Sequence, residues 1–312
     1  MSNQFNQLII KIIFLGTPDF AVPSLKRLYG NSNFKIVGVI TKPDKPAERG
    51  LKLQESAVKV EARNLKLPCF EPANKKELTE IVKELNADFA VVVAYGKIIP
   101  QETLDLLPNR ILNLHPSLLP KYRGASPIQS AILNGDIETG TTIMLIDADL
   151  DHGPILAQEK LKIETDETAE TLHDKLSKLG ADLLERTLND YFRGNVKPIP
   201  QDDSRATFCK QLEKEDGQID WNKSAIEIDR QVRALNTWPG TYTTFKNQTI
   251  KILHTTVGAN GSSPTPIGEF FLQNKKLTVN CGENSGIIIE QIQPAGKKIM
   301  SGEEFARGYL KM

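Results

Sequence analysis

The run DFAVVVAY, residues 88–95, limits the folds open to this chain more than any other segment. It is apolar on both faces, and strands buried on both faces are typical of parallel sheets that helices cover on each side. Two earlier apolar, β-branched runs, at 8–15 and 34–40, are separated by segments with helical patterns. Because alternating strands and helices build such sheets, the sequence predicts an α/β fold with a doubly wound, mostly parallel sheet.

The turn after the first apolar run bears on the kind of ligand that this sheet binds. The run ends at Gly16-Thr17-Pro18-Asp19 and a helix is predicted from about Phe20 to Tyr29. Dinucleotide sites at this position use the pattern G-x-G-x-x-G, and only one glycine lies in this turn. The sequence therefore argues against a dinucleotide cofactor.

Three polar side chains end two apolar runs in the middle of the chain. Asn113 and His115 close the run ILNLH, and Asp151 follows the run TTIMLIDADL. Positions two apart on a strand point to the same face, so the amide and the imidazole leave the sheet together. Ligands of open α/β sheets bind beyond the carboxyl ends of the strands. We therefore expect an amide, an imidazole and a carboxylate to converge at one end of the sheet.

This set of groups suits nucleophilic attack on a carbonyl carbon. Asn113 is a neutral donor, and His115 can donate or accept a proton near neutral pH. With a carboxylate, they provide two donors for an oxyanion and one acceptor for the proton of the nucleophile. In the loop that follows, Leu118, Leu119 and Pro120 are expected to form an apolar lip that suits a flat ring system.

Other interpretations of the same residues stay open from the sequence. Ser117, His115 and Asp151 could form a hydrolytic triad, although no G-x-S-x-G elbow surrounds the serine, which is expected to bond to backbone or ligand. A metal site made of His115, His152 and Asp151 would lack any paired metal motif. The plainest alternative is structural: a buried asparagine that caps a turn, and a histidine paired to an aspartate.

A long loop follows the second predicted strand and therefore lies on the ligand side of the sheet. Its sequence, TKPDKPAERGLKLQ, has no regular period and is rich in proline, glycine and charge. Loops of this length are usually functional or disordered. The loop is predicted either to clamp phosphates or to be an ordinary solvated loop. The basic residues are Lys42, Lys45, Arg49 and Lys52, and the acidic residues are Asp44 and Glu48.

Charge and cysteine content exclude several classes of protein. The chain has 39 Lys and Arg against 39 Asp and Glu, so only local patches could hold a nucleic acid. Cys69, Cys209 and Cys281 are scattered and odd in number, which predicts no disulfide framework and fits a reducing, cytoplasmic location. The run LIIKIIFLG is short and carries a lysine, which predicts a first strand and no membrane span.

The pattern changes near residue 200. Short β runs with turns between them, TYTTF, TIKILHTTV, IGEFFL, KLTVN and GIIIEQI, predict a small antiparallel barrel of the OB type. A helix is predicted from Thr165 to Arg193, with a division expected at Gly180. A segment with two prolines lies between this helix and the β runs and is expected to link two domains. The predicted organisation is a catalytic domain at 1–194, a linker at 195–205 and a β-barrel domain at 206–312.

From Ile12 to about Met300, the sequence resembles the methionyl-tRNA formyltransferases. The fragment NLHPSLLPKY alone is also close to glycinamide-ribonucleotide and sugar formyltransferases, the first of which lack a similar barrel domain. The segments GTPDFA and PAGKKIM and the basic loop favour the tRNA family. The matching segments are FLGTPDFA, GVITKPDKPAERG, VVVAYGKIIP, NLHPSLLPKYRGASPIQ, GTTIMLID, LDHGPIL, IDW, RALNTWPGTY and QPAGKKIMSG.

The resemblance implies a formyltransferase-like, Rossmann-type catalytic domain that uses 10-formyltetrahydrofolate as formyl donor and no metal. The implied acceptor is the α-amine of methionine on initiator tRNA. Asn113, His115 and Asp151 match the catalytic residues of the family, and Ser117–Pro120 matches its folate-site motif. Alternatives are a sugar-amine or glycinamide-ribonucleotide formyltransferase, a formyl-folate hydrolase, and a folate- or RNA-binding protein without catalysis.

The resemblance also implies a tRNA contact in the basic loop. Arg49 matches a loop arginine that engages the acceptor stem, and we predict that Lys45 and Lys52 assist it. Two positions depart from the pattern. Pro116 stands where the family often has glycine, and we expect the loop to tolerate this change. Leu51 stands where a second basic residue is common, and this change bears on the strength of the tRNA contact. The expected protein is a cytoplasmic monomer without a membrane partner.

Overall fold

A computed structural model describes residues 9–46, 53–258 and 264–310. The chain folds into two compact units, each made of several stretches of sequence. The first comprises Met1–Gly124, Thr139–Leu161 and His173–Phe208, and the second comprises Ala125–Glu138, Lys162–Leu172 and Cys209–Met312. The domain boundaries at 194 and 206 stay a prediction.

Strands and helices alternate through the first part of the chain, and strands dominate the last part. The strands are β1 Ile10–Gly16, β2 Phe34–Ile40, β3 Lys45–Pro46, β4 Leu53–Gln54, β5 Cys69–Phe70, β6 Phe89–Val93, β7 Ile111–His115, β8 Arg123–Gly124, β9 Glu138–Leu145, β10 Ile155–Lys162, β11 Phe208–Cys209, β12 Thr241–Phe245, β13 Gln248–Gly258, β14 Phe270–Gln273, β15 Lys276–Cys281, β16 Ser285–Pro294 and β17 Met300–Ser301. The α-helices are α1 Val22–Tyr29, α2 Ala57–Asn64, α3 Lys75–Leu85, α4 Gln101–Leu104, α5 Pro127–Leu133, α6 Ala169–Phe192, α7 Ala225–Leu235 and α8 Gly302–Tyr309. Short 3-10 helices span Asp19–Ala21, Asp203–Arg205 and Lys214–Gly217.

The first unit contains a seven-stranded sheet with the strand order β10-β9-β7-β6-β1-β2-β5. The pairs from β7 through β6, β1 and β2 to β5 are parallel, and β7 pairs with β9 in the antiparallel direction. All five residues of β6 are buried, as its two apolar faces require. The predicted mostly parallel sheet is confirmed. Among the described residues, no helix is both long and apolar enough to cross a membrane.

Side-chain caps begin several helices. The Ser56 hydroxyl accepts the backbone N–H of Lys59 at the start of α2. The side-chain oxygen of Asn74 accepts the backbone N–H of Glu77 at the start of α3. Ser301 and Glu304 form a reciprocal capping box at the start of α8. Each cap satisfies an N–H group that the first helical turn leaves without a partner. Pro18 precedes the 3-10 turn Asp19–Ala21, and α1 begins only at Val22, two residues after the start predicted at about Phe20.

Helix α6 is one continuous helix, so the expected division at Gly180 is wrong. The reason lies in packing between α6 and β7. A Cβ atom at Gly180 would lie 2.6 Å from Cδ1 of Leu114, so the glycine lets the helix approach the strand that carries the polar residues. A glycine within a helical pattern often serves such close contact.

The second unit contains an antiparallel sheet with the order β12-β13-β16-β15-β14, and β17 adds to β16. The predicted antiparallel C-terminal domain is confirmed. Helices α7 and α8 pack against this sheet through residues such as Val232 and Phe305, which are fully buried. Helix α5 packs against α7, and the Arg230 guanidinium lies over Gly135, where a Cβ atom would lie 2.0 Å from Cζ.

Candidate active site

Strand β7 places Asn113 and His115 at the carboxyl end of the sheet. In the ladder, Asn113 lies opposite Val92 of β6, and His115 lies opposite Thr142 of β9. His115 is 4% exposed, whereas Asn113 is half-buried. The Asn113 amide has no hydrogen-bond partner among the residues that the structure describes. Its donor and acceptor are therefore available to a ligand.

The His115 ring has one nitrogen engaged with the backbone and one facing a carboxylate. Nε2 lies 2.9 Å from the carbonyl oxygen of Tyr122. A carbonyl oxygen can only accept, so Nε2 carries a proton and donates it to this bond. Nδ1 lies 3.7 Å from Oδ2 of Asp151, outside hydrogen-bond distance. Nδ1 is therefore the ring atom that can exchange a proton with a reacting group.

Asp151 is held in an uncommon backbone conformation beside this ring. Its φ is +49°, in the left-handed region that L residues rarely adopt. Its Oδ2 accepts the backbone N–H of Gly124 at 2.9 Å, and its own carbonyl oxygen accepts Nε2 of Gln201 at 2.9 Å. Strained residues cluster at functional sites, where the surrounding contacts hold them in place. Both its side chain and its backbone are thus fixed relative to His115.

The loop after His115 is bonded to strand β9 through Thr142. The Thr142 hydroxyl donates to the carbonyl oxygen of Ser117 at 2.6 Å and accepts the backbone N–H of Leu119 at 3.1 Å. The Ser117 hydroxyl donates to the carbonyl oxygen of Lys121 at 2.6 Å. Ser117 therefore bonds backbone, one of the two outcomes expected from the sequence, and its proton is not directed to His115 as a triad would require.

The four residues of the predicted lip differ in exposure. Ser117 and Leu119 are buried, whereas Leu118 and Pro120 are half-buried. The Leu118 side chain lies against Gly140, where a Cβ atom would lie 2.6 Å from Leu118 Cδ2. The buried pair anchors the loop, whereas Leu118 and Pro120 keep part of their apolar surface exposed.

A buried arginine connects the Gly124 strand to the segment that follows α6. Arg123 is 4% exposed, and its guanidinium donates to Oε1 of Gln201 from Nε at 3.0 Å and from Nη2 at 2.8 Å. Nη2 also donates to Oδ1 of Asp203 at 2.7 Å. This guanidinium holds the pKa of the Asp203 carboxyl below its usual range. The buried charge is thereby paired, as its burial requires.

His152 lies between two carboxylates next to Asp151. Its Nδ1 is 2.7 Å from Oδ2 of Asp147, and its Nε2 is 3.4 Å from Oδ2 of Asp203. The hydrogen bond to Asp147 is the main reason that the pKa of His152 is raised above its ordinary value. The alternative of a metal bound by His115, His152 and Asp151 has no support, because no three metal-ligating side chains of the described residues are grouped to hold an ion.

The basic loop is described only at its two ends. Lys45 pairs through its backbone with Gln54 where β3 and β4 run antiparallel, whereas Arg49 and Lys52 lie outside the described residues. The start of the loop is fixed by an ion cluster in which Lys59 Nζ lies 2.6 Å from Asp44 and 2.7 Å from Glu71.

Several residues around the site were not identified from the sequence. Thr142 carried a weak signal, because it is a polar residue inside an apolar strand and lies opposite His115. Arg123 and Gln201 carried none, since the first falls in a segment expected to be a loop and the second in the segment expected to be a linker. Only the folded chain brings them to Asp151.

Comparisons with known proteins identify relatives over nearly the whole chain. Family models described as "Formyl transferase" and "Formyl transferase, C-terminal domain" match residues 10–188 and 211–310. The methionyl-tRNA formyltransferase of Thermodesulfovibrio yellowstonii is 45% identical over 300 residues, which is 95% of each chain. That of Roseiflexus castenholzii is 42% identical over 301 residues, which is 96% of each chain.

A solved structure with the same fold is an N-formyltransferase from Helicobacter canadensis, in complex with folinic acid and dTDP-3-aminofucose. It has a TM-score of 0.68 and 20% sequence identity, and the match covers 92% of this chain and 100% of that chain. At this identity the similarity shows the fold, which both units of the chain share with the formyltransferase.

Proposed function

Because the chain belongs to the methionyl-tRNA formyltransferase family, we propose that Asn113, His115 and Asp151 perform its formyl transfer from 10-formyltetrahydrofolate. The enzyme transfers a formyl group from a folate to the α-amine of methionine on initiator tRNA, which supplies formylmethionyl-tRNA for translation initiation. The observation that carries the proposed site is the His115 ring, whose Nε2 is bonded to backbone while its Nδ1 faces Asp151.

The proposed reaction is direct acyl transfer. The neutral α-amine attacks the formyl carbon and a C–N bond forms. The bond from this carbon to N10 of the folate then breaks, and N10 takes up the proton that the amine has lost, so that neutral tetrahydrofolate leaves. An α-amine has a pKa of about 7.7–8.0, so part of it is neutral near pH 7 without further activation. This chemistry needs no covalent bond to the enzyme, which agrees with a Ser117 hydroxyl directed to the Lys121 carbonyl oxygen.

We propose that two donors stabilise the oxyanion of the tetrahedral intermediate. They are the Asn113 amide and, when the ring is protonated, His115 Nδ1. The amide has no partner among the described residues and the ring nitrogen is not hydrogen-bonded, so neither has to give up a bond to bind the oxyanion. Donors fixed before charge develops stabilise it without reorganisation. Asp151 Oδ2 lies 3.7 Å from Nδ1, and we propose that this carboxylate takes up the amine proton, through the ring or directly, and returns it to N10 of the leaving folate.

The folate is assigned to the lip formed by Ser117, Leu118, Leu119 and Pro120. The support is that hydrogen bonds hold this loop in place. Thr142 bonds the loop backbone at two points, and Gln158 Nε2 donates to the Leu119 carbonyl oxygen at 2.8 Å. A loop fixed in this way can present the half-buried Leu118 and Pro120 to a flat ring.

The tRNA contact is assigned to the basic loop and to the second unit. Arg49 is proposed to grip the acceptor stem with two donors at once, and Lys45 and Lys52 to act beside it as point charges. Exposed lysines of the second unit, such as Lys297 and Lys298, are proposed to contact phosphates. We further propose that the enzyme works as a monomer in the cytoplasm.

The assay that tests this function offers one donor and three acceptors. The protein is mixed with 10-formyltetrahydrofolate and, in separate reactions, with methionyl initiator tRNA, glycinamide ribonucleotide or an amino sugar nucleotide. We expect formylmethionyl-tRNA and no product from the other two. Release of formate without any acceptor would instead indicate a formyl-folate hydrolase, and the Asp151→Asn variant is the control for a contaminating enzyme.

A further inference from the structure

Gln201 lies in the segment that follows α6. All of its side-chain hydrogen-bonding groups are used in contacts with Arg123 and with the loop that contains Asp151 and Gly153, called here the Asp151 loop. The two N–H groups of Gln201 donate to the carbonyl oxygens of Asp151 at 2.9 Å and Gly153 at 2.8 Å. Its Oε1 accepts both bonds from the Arg123 guanidinium. An amide has two donors and one acceptor oxygen with two lone pairs, so all of its capacity is used.

These bonds join the two segments that fix the catalytic carboxylate. Gly124, which donates to Oδ2 of Asp151, directly follows Arg123 in the chain. Gln201 therefore holds the backbone of Asp151 with one end and the segment that grips its carboxylate with the other. Because Arg123 is buried and charged, its bond to Gln201 is stronger than a bond between neutral groups.

The Asp151 loop has little freedom to rearrange if the Gln201 side-chain amide is lost. Gly153 lies so close to β9 that a Cβ atom there would be 1.9 Å from the carbonyl oxygen of Leu145. Asp151 has a positive φ, a conformation that persists only where neighbouring contacts enforce it. Gln201 supplies one of those contacts, the bond to the Asp151 carbonyl oxygen.

We propose that Gln201 is a positioning residue for formyl transfer, which sets the Asp151 carboxylate against His115 by bridging Arg123 to the Asp151 loop. It touches neither substrate and acts through Asp151, so the inference rests on the proposed catalytic role of that residue. The segment between α6 and the second unit thereby serves the reaction as well as connecting two parts of the chain.

The variant that isolates this role is Gln201→Glu. A glutamate has the same shape and can still accept both bonds from Arg123, but it cannot donate to the carbonyl oxygens of Asp151 and Gly153. We expect kcat to fall about 10-fold to 100-fold, because misplacing a reacting group by about 1 Å can cost that much. KM for the folate and for methionyl-tRNA should change by less than about threefold, since an interaction needed only for the chemical step lowers kcat alone.

Two further variants show whether the effect is local. Asp202→Asn changes the neighbouring exposed residue and should keep wild-type kcat. Within the described part of the chain, the Asp202 carboxylate bonds only to Ser204 in its own turn. Gln201→Leu removes both donors and the acceptor and should reproduce the loss of kcat. A melting temperature that collapses in both Gln201 variants would make the residue structural and overturn the proposal.

A double-mutant cycle with Asp151→Asn decides whether Gln201 acts through Asp151. Residues that act through one group are not additive, so Gln201→Glu should slow the Asp151→Asn enzyme by less than about threefold. Full additivity, or a normal kcat for Gln201→Glu alone, would overturn the positioning role. Normal turnover of Asp151→Asn alone would instead overturn the proposed active site, so the two failures are distinguishable.

Discussion

The carboxyl end of the sheet and the turn between β16 and β17 hold their polar side chains in opposite ways. His115 is buried with its ring bonded to a backbone carbonyl, and Asp151 is bonded through both side chain and backbone. In the turn, Lys297 and Lys298 are exposed, and neither ammonium has a partner among the described residues. The difference agrees with the roles proposed for the two regions, because bond formation needs fixed geometry and phosphate attraction does not.

Physical magnitudes explain the division. Misplacing a group in an active site by about 1 Å can reduce the rate about 100-fold. This sensitivity explains why many hydrogen bonds hold the residues at the carboxyl end of the sheet. An exposed charge at about 4 Å from a phosphate gains about 1 kcal/mol in water and loses little when its side chain moves. Residues 206–312 have 13 Lys and Arg against 11 Asp and Glu, so tRNA binding there is expected to rest on a few such contacts.

The largest expected effect concerns the fixed region. Asn113→Ala removes one oxyanion donor and should lower the rate of formyl transfer about 100-fold to 1,000-fold. Equilibrium binding of the folate should stay within about twofold of wild type, because this donor acts on the intermediate. Asn64→Ala, at an exposed position at the end of α2, is the matched control and should be silent. An Asn113→Ala enzyme of normal rate would remove this residue from the site.

The next effect concerns the basic loop. Arg49→Ala should weaken the binding of methionyl-tRNA roughly 10-fold or more, the usual result of losing a charge-assisted pair of hydrogen bonds. Arg49→Lys should not restore it, because a lysine cannot form the two-donor contact. Filter binding with initiator tRNA measures both, with Arg193→Ala, an exposed arginine after α6, as control. Equal affinities for all four proteins would show that the loop does not contact the acceptor stem.

How much the sequence predicts also differs between the regions of the molecule. The apolar runs predict the sheet because burial on both faces leaves few other folds, and a spacing of two places Asn113 and His115 on one face. The contacts of Asp151 with Gly124 and Gln201 join residues 27 and 50 positions apart, and no local pattern encodes them. The predicted division at Gly180 was wrong because a glycine in a helical pattern looks the same in the sequence whether it ends a helix or permits close packing.

A smaller effect is expected in the second unit. The double variant Lys297→Gln/Lys298→Gln should weaken tRNA binding a few-fold and flatten its dependence on salt, by about one unit of slope for each phosphate that the variant no longer neutralises. Lys275→Gln/Lys276→Gln, at another exposed turn of the same sheet, is the matched control. Substitution is preferable to deletion of residues 206–312, because α5 packs against α7 and would lose its partner. If both pairs weaken binding equally, the PAGKKIM turn has no special role.

The smallest effect is a pH dependence of stability at His152. Its pKa is raised by Asp147, so its contribution to stability is fully present below about pH 6.5 and is lost as pH rises through the raised value. Asp203, whose pKa is lowered by Arg123, stays ionised over this range. His152→Ala should therefore reduce the melting temperature at pH 6 by more than at pH 9. A difference between His152→Ala and wild type that stays constant from pH 6 to pH 9 would contradict the assignment.

The central claim is that Asn113, His115 and Asp151 perform the chemistry while other residues bind the two substrates. Single-turnover formyl transfer by Asp151→Asn, with saturating 10-formyltetrahydrofolate and methionyl initiator tRNA, tests it most directly. The variant keeps the shape of the side chain and removes its charge, so we predict a rate at least about 100-fold below wild type. The dissociation constants of both substrates should stay within about threefold. A near wild-type single-turnover rate, or a loss that appears only as weaker binding, would contradict the claim.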